Sequence, residues 1–541
     1  MRSSPRFATV VVVLCGVFVL GALVHRLRFS ADLSDEAFSI ALPYRFALGD
    51  RPFIDEVSTA QTAGLLLLPF VWLFVKLTGG SAGIVLFVRF VHLFIKAIAA
   101  MAVHSAVRGW MSAPSALAVS LVPFAFVPHS IPNVGYNVLG MTLLVIGGFT
   151  SASGIAIVEP KTRANRLALA GFAYGLATFA YPPLAPAAII ATVLVVACCP
   201  VDRLKAGLAF VIGGVLSLVI LLPMLVPAGI KGIVDSFHFG SELVPRPPSK
   251  LNAIIDELWQ GAPKLLVGSA AALVFTGIMR RRWITNVIVP VVVVVVTIFW
   301  FHDDAPTARG AMRLVSYTAL FAPALLFAVR DHDRAFRGGL LIVVPSLVAG
   351  LATAFASSNG TDNGAIGFEP ASVLFAALAV VALERACAER LWTLIPPVVL
   401  TMTLVLRSYQ FVYRDAPIEL LTTQVKSGPF RGIRTTAQHA AVFADLEAIM
   451  SKYDRHGGRL LVVYESPGCY LFSKMRPSSN TVWPLSYFGQ PELLAYWRQH
   501  VTGNGIVVMV GAPQRNVVDP VVAVAERQLE QRRPFTVYAE S

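Results

Sequence analysis

The 541-residue chain is 56% hydrophobic and only 14% charged, more apolar surface than a soluble fold can hide. Its formal charge of +13 comes without a basic stripe interleaved with aromatics, which excludes nucleic-acid binding and points to loop cations that set topology and meet anionic headgroups. The five cysteines (Cys15, Cys198, Cys199, Cys387 and Cys469) form no zinc or redox spacing and no visible disulfide framework.

The first apolar run, 7–24, follows Arg2 and Arg6. His25, Arg26, Leu27 and Arg28 come next in place of a small-residue cleavage site, so an uncleaved first helix is expected. Further apolar segments fall at 62–78, 84–107, 113–128, 134–150, 165–181, 183–199, 207–227, 263–279, 284–300, 311–329, 338–356, 370–386 and 391–411. Runs of this length cross a hydrocarbon layer of roughly 30 Å, and in lipid they must be helical. The lysines and arginines test which of them cross. Arg2 and Arg6 place the N-terminus inside and 26–61 outside. Later clusters, from Arg108 through Lys161, Arg163 and Arg166 to Arg385 and Arg390, recur in every second loop and are expected inside. Between 61 and Arg108 the chain must then cross an odd number of times, yet two apolar segments lie there. Segment 62–78, with Pro69, Lys76 and a Gly79-Gly80 end, is the one expected to lie at the outer interface.

The fold class that follows is an α-helical polytopic membrane protein of about thirteen transmembrane helices with a small C-terminal α/β extramembrane domain. The membrane part is 1–411, with an outer loop at 26–83 holding juxtamembrane helices, and the extracytoplasmic domain is 412–541. In the latter, helical patterns at 436–453, 490–501 and 519–531 alternate with short strands at 460–464, 506–510 and 535–538. The N-terminus is expected cytoplasmic and the C-terminus periplasmic, in a multi-pass protein of a bacterial inner membrane.

The first outer loop reads DLSDEAFSIALPYRFALGDRPFIDEVSTAQTAG. Ser34 as N-cap and Gly49 as C-cap bound an interfacial helix whose first turn holds Asp35 and Glu36. First-turn acids complement a helix dipole; a carboxylate at the lipid boundary also suits a general base. Spacing alone leaves both readings open.

The Asp35-Glu36 pair after one helix, continued by Gly49-Asp50-Arg51-Pro52, Asp55, Gln61, the Gly79-Gly80 end and Arg89, resembles the GT-C glycosyltransferases, in the branch of the protein O-mannosyltransferases and the lipid A aminoarabinose transferase. The likeness is clearest over 1–185. It implies thirteen spans, and a transferase that uses a polyprenyl-phosphate-linked sugar and inverts the anomeric centre. It further implies Asp35 as the base, Glu36 as the residue that orients it or meets the sugar, and a glycan, lipid or protein acceptor. Asp55, Gln61, Asn133 and Asn137 are the candidates for acceptor or sugar contact. Where several members carry an acid in the second outer loop, this chain has Asn133, Tyr136 and Asn137, which speaks against a divalent metal; no metal and no other cofactor is expected.

The leaving phosphate needs cations or oriented donors. Tyr181, in TFAYPPLAP, is one candidate donor. Arg246 and Lys250, in a proline-marked loop at 228–262 that also holds Lys231 and His238, and Arg309 and Arg313 are the cations. His302-Asp303-Asp304 and the Gly/Asn-rich stretch 357–370 read as outer loops. The rival class is a lipid or sugar transporter, which would place ionisable residues mid-membrane, whereas the notable acids here lie in outer loops.

Overall fold

The computed structural model describes residues 5–243, 308–357, 359–386, 390–454, 458–463, 466–483, 505–510, 527–532 and 535–539, with positions 252, 254 and 256. In chain order the helices of the membrane part are α1 (Pro5–Arg26), α2 (Asp35–Ala47), α3 (Gln61–Thr78), α4 (Ile84–Val107), α5 (Ala113–Ser120), α6 (Val122–Ala125), α7 (Tyr136–Ile155), α8 (Pro160–Ala180), α9 (Ala185–Cys198), α10 (Arg203–Leu225), α11 (Gly229–Leu243), α12 (Ala308–Ala328), α13 (Asp333–Ala356), α14 (Gly364–Ala386) and α15 (Arg390–Gln410). Among the described residues nine helices are long and apolar enough to cross a membrane, which makes the chain a multi-pass membrane protein. The apolar segments 263–279 and 284–300 lie outside the described residues.

Several helices, α8, α10 and α13 among them, start earlier than the apolar runs because polar residues carry them past the hydrocarbon. At α8 the Glu159 carboxylate accepts the Lys161 and Thr162 amides at 3.0 and 2.6 Å, and Pro160 opens the first turn. Segment 113–128, expected as one span, is instead broken into α5 and α6 at Leu121, where Pro123 removes a helical donor and constrains its predecessor. The expected loop 228–262 begins as helix α11, and the expected outer loop 357–370 closes early: a 3-10 turn at Gly360–Asn363 runs into α14 from Gly364. The proline-marked stretch 245–248 lies outside the described residues. Helix α3 packs on α2 and reaches α4, α7 and α8; with 18 residues it is long and apolar enough to cross, so length and composition do not set it apart from the spans.

Within the bundle α7, α8 and α10 form a row. The α8–α10 contact is backbone against backbone. A Cβ on Gly171 would stand 1.8 Å from Phe210 O, and one on Gly213 1.8 Å from Ala168 O. Small residues permit this approach, since lipid tails supply no hydrophobic drive between helices.

After α15 come β1 (Thr423–Gln424), β2 (Arg434–Thr435), α16 (Ala437–Tyr453), β3 (Arg459–Val463), β4 (Arg476–Pro477), β5 (Gly505–Val510), β6 (Arg527–Arg532) and β7 (Phe535–Ala539). The last five strands make a mixed sheet in the order β4-β3-β5-β7-β6, parallel across β4-β3-β5 and antiparallel across β5-β7-β6. This is the α/β part expected from the sequence, with one correction: the helix expected at 519–531 gives way over 527–531 to strand β6. As an edge strand, β6 accommodates a charged sequence that would not suit the sheet interior. The helical pattern at 490–501 lies outside the described residues. One hydrophobic cluster joins both regions, with Phe38, Leu42, Val85 and Val88 packed in the same core as Phe430, Phe443, Leu446 and Tyr470.

Gly171→Ala is expected to destabilise the protein by about 3 kcal/mol, because the new methyl meets a fixed carbonyl rather than a movable side chain. Gly21→Ala, with nothing within 4 Å of its added Cβ, is the neutral control. Thermal unfolding in detergent compares the two.

Candidate active site

The site is built where α1 ends. Arg89, on α4 and fully buried, reaches the turn that follows and donates to Leu27 O at 2.5 Å, Phe29 O at 2.9 Å and Ser30 O at 2.8 Å. Arg26 adds bonds to Phe29 O at 3.1 Å, Ser408 O at 2.7 Å and Ser130 O at 3.4 Å. These carbonyls include ones that the end of a helix leaves without intrahelical partners, where positive charge is favoured. Ser30 adopts φ +79°, so the chain turns sharply before α2.

Helix α2 starts as the sequence predicts, at Asp35, but Ser34 does not cap it with its side chain. Asp32 does that work: its Oδ1 accepts the Ser34 amide at 3.0 Å and hydroxyl at 2.6 Å, and its Oδ2 accepts the Glu36 amide at 3.3 Å. Burial nonetheless pushes the Asp32 carboxyl above its usual range, against those hydrogen bonds.

Neighbours on a helix point about 100° apart, so Asp35 and Glu36 face different surroundings. Glu36 turns inward. Its two oxygens take Arg89 Nε and Nη2, each at 2.6 Å, and its side chain is 3% exposed. Asp35 turns outward, with 32% of its side chain exposed. Its Oδ2 accepts a short hydrogen bond from the Tyr413 phenol and faces Arg414 Nη2 at 3.5 Å. Arg414 Nη1 donates to Ser34 Oγ at 2.6 Å, and Arg414 itself holds φ +49°. Asp35 Oδ1 makes no hydrogen bond among the described residues. Tyr413 and Arg414 went unnoticed in the sequence; the only signal was a polar Tyr-Arg-Asp triplet directly after the last span.

The next residue anchors that triplet. Asp415 Oδ2 accepts the Ala31 amide at 3.1 Å and Thr435 Oγ1 at 2.8 Å, and its Oδ1 lies 3.2 Å from His439 Nδ1. Strand β2 binds the same turn, with Arg434 N donating to Arg28 O at 2.6 Å and Ser30 N to Arg434 O at 3.1 Å. The hydrogen bond to Asp415 lifts the His439 imidazole above its usual range despite partial burial. Burial would raise Asp415, but the bonds from His439, Thr435 and the Ala416 and Ala31 amides outweigh it and hold the carboxyl low.

Among the other predicted residues, Asn133 belongs to the site as a support: its Nδ2 donates to Glu36 O and its Oδ1 accepts Gly135 N, both at 3.1 Å. Asn137 is the second residue of α7, and its Oδ1 is buried without a hydrogen-bond partner among the described residues. Tyr181 is buried, its ring 5.2 Å from that of Tyr136, which is itself within electrostatic reach of Asp35. Asp55 and Gln61 serve a separate network. Asp55 accepts the Arg51 amide at 2.7 Å. Gln61 accepts Phe53 N at 2.7 Å and donates to Glu56 O at 3.0 Å and Ser236 Oγ at 3.2 Å, so both ends of its amide are engaged. Arg45 centres that network, paired with Asp50 at 2.7 Å and Glu56 at 3.1 Å and donating to Ser479 O at 2.8 Å. Arg313 sits half-buried on α12. Arg246, Lys250, the Arg309 side chain and His302-Asp303-Asp304 lie outside the described residues.

One acid departs from the expectation that the notable carboxylates lie in outer loops. Glu369, inside α14, pairs with Lys96 of α4 at 3.0 Å in a fully buried bridge. His92, one turn before Lys96, has both ring nitrogens without a partner among the described residues and borders a cavity of about 10 Å³ shared with Arg26, Ser130 and Ser408.

No family model matches the sequence, and no curated protein matches it. Among solved structures the chain is similar to ArnT from Cupriavidus metallidurans in the apo state, at 14% identity over 98% of each chain with a TM-score of 0.44. It is also similar to the same protein bound to undecaprenyl phosphate, at 15% identity over 98% of each chain with a TM-score of 0.43. A third is the Archaeoglobus fulgidus oligosaccharyltransferase tethered with an acceptor peptide, at 10% identity over 94% of this chain and 69% of that one, with a TM-score of 0.48. Both proteins are GT-C glycosyltransferases.

Glu36→Gln leaves the buried Arg89 guanidinium without its countercharge and is expected to lower stability by about 3–5 kcal/mol, whereas the rim substitution Asp35→Asn costs about 1 kcal/mol or less. Denaturation in mixed micelles measures both.

The Asp415–His439 latch has a pH signature. The raised His439 contributes fully below its unfolded value and is lost as pH climbs through its folded one, while the depressed Asp415 contributes above its unfolded value and is lost as pH falls through its folded one. The latch is therefore strongest between about pH 4 and 6.5. The wild-type advantage in melting temperature over His439→Gln is expected to be present at pH 5.5 and to shrink toward zero by pH 9.

Proposed function

We propose that this chain is a membrane glycosyltransferase that moves a hexose or pentose from a polyprenyl-phosphate donor to an envelope acceptor on the outer face of the membrane. The observation that carries this reading is the division between two adjacent acids. Glu36 is sealed in an ion pair, and Asp35 stands at the rim with one oxygen open. That is the arrangement a positioned general base needs: a fixed carboxylate, reachable by substrate, beside apolar helices that admit a lipid tail. The first-loop resemblance supplies the donor class.

In the proposed step Asp35 accepts the proton of an acceptor hydroxyl or amine as that atom attacks the anomeric carbon in line. The bond from that carbon to the phosphate oxygen breaks, its electron pair departs with the polyprenyl phosphate, and the configuration inverts. Arg414, half-exposed beside Asp35, joins Arg246, Lys250, Arg309 and Arg313 as a cation for that phosphate, with Tyr181 as a neutral donor. Neutral amides at Asn133 and Asn137 make a poor divalent-cation site, so the step is written without a metal. The proposal includes a cytoplasmic N-terminus and an extracytoplasmic domain from residue 412.

A carrier reading draws on the Lys96–Glu369 pair inside the bundle. One substitution separates the two. Asp35→Asn is expected to lower sugar transfer at least about 100-fold while the protein still folds and binds lipid. Transfer is read as polyprenyl phosphate released from lipid-linked sugar. Full transfer by the variant removes Asp35 as base, and sugar flipping without transfer by the wild type establishes the carrier.

A further inference from the structure

We infer that Tyr413 is a positioning residue for Asp35, an inference that rests on the glycosyl-transfer reading: its phenol holds Oδ2 so that Oδ1 alone is presented to the acceptor.

A lone aspartate at a helix start rotates about two side-chain bonds, and a base that rotates presents the wrong lone pair for much of the time. Asp35 is held against this by a chain segment 378 residues away in sequence, through the Tyr413 phenol on Oδ2. Arg414 backs the same edge from 3.5 Å. The far edge, Oδ1, is empty of protein donors among the described residues. Burial, with the Asp35 carboxylate beside it, pushes the Tyr413 phenol well above its usual range, so it serves as a donor and not as a competing base.

Residues 413–415 are pinned to the turn before α2 at several points. Ser30 Oγ donates to Tyr413 O at 3.2 Å, Arg414 Nη1 to Ser34 Oγ at 2.6 Å, and the Ala31 amide to Asp415 Oδ2 at 3.1 Å. Arg414 holds φ +49°, a conformation that a non-glycine residue keeps only where its surroundings over-determine it, and such positions gather at functional sites. The left-handed residue turns the backbone so that Tyr413 and Asp415 both reach the α2 side of the site. Ring and guanidinium support each other, with Arg414 5.4 Å from the Tyr413 ring centroid. A residue that only packed would need none of this directionality.

The test uses the full-length protein in nanodiscs and a lipid extract from a deletion strain, with released polyprenyl phosphate measured by mass spectrometry. Tyr413→Phe is expected to lower kcat about 10–100-fold with donor KM and melting temperature essentially unchanged. Replacing Tyr413 with 3-fluorotyrosine keeps the shape and the donor; it should retain kcat within about threefold and move the acid limb of the pH–rate profile to lower pH, as a stronger donor favours the charged carboxylate. Wild-type kcat in Tyr413→Phe, or a fluorotyrosine profile that does not move, overturns the inference. A Phe variant that loses turnover only in step with its melting temperature also overturns it. Asp35→Asn is run alongside. If that variant is inactive and Tyr413→Phe is normal, only the positioning role fails. If Asp35→Asn is fully active, or the wild type releases nothing, the glycosyl-transfer reading fails instead.

Discussion

The Arg89 guanidinium is the contact on which this architecture turns. An arginine has five N–H donors in a fixed plane, and here each has an acceptor: the two Glu36 oxygens and the carbonyls of Leu27, Phe29 and Ser30. A charge removed from water inside a helical bundle is tolerable only when every polar atom around it is matched. That requirement works in both directions. Arg89 is acceptable in α4 because the turn after α1 delivers three carbonyls and α2 delivers a carboxylate. The turn takes its shape because Arg89 collects those groups. Lysine carries the charge but not the fork, so it cannot close the same shell.

Once that shell is closed, the direction of Asp35 follows. Glu36 fixes the rotation of α2 about its axis, and the adjacent residue then faces away from the bundle toward the segment after α15. That segment is held in turn by Asp415 and by strand β2 pairing along residues 28–30. The hydrophobic core repeats this connection on a larger scale, since Phe38 and Val88 lie in one cluster with Phe430 and Tyr470. The C-terminal part is therefore folded together with the first outer loop. Close approach enforces it: a Cβ on Gly468 would come within 2.9 Å of both Leu33 and Ala37.

What the sequence made legible was what local patterning determines. Apolar runs located most of the helices, short apolar runs in the tail located β3, β5 and β7, and the Ser-Asp-Glu start located α2. Local patterning misread places where tertiary context decides. Pro123 split a segment whose hydropathy looked continuous, and the edge of a sheet took 527–531 although its charges suggested a helix. Glu369 looked like part of a loop because Gly and Asn precede it, yet a buried lysine on another helix holds it within α14. The polar triplet after the last span did not reveal the role of Tyr413 and Arg414, because their meaning comes from a contact across most of the chain. Asn133 of the second outer loop was legible as a candidate but not as a support for the α2 backbone.

The two adjacent acids show why motif and role separate. Asp35 and Glu36 arrive as an identical kind of signal, two first-turn carboxylates one residue apart. Helical geometry sends them into different environments, and environment assigns the work. A carboxylate paired with a buried guanidinium and 3% exposed presents no accessible lone pair to a substrate, so Glu36 is a structural partner of Arg89. A carboxylate at the rim with one oxygen held and the other open has both a fixed orientation and a free acceptor, which is why the proposed transfer assigns the base to Asp35. The extra methylene of Glu36 is what lets it reach Arg89 from the first turn of α2, while the shorter Asp35 cannot swing far from the position its neighbours define. Exchanging the two residue types would keep the charge, the motif and the helix start, and it would remove the distinction on which the site depends.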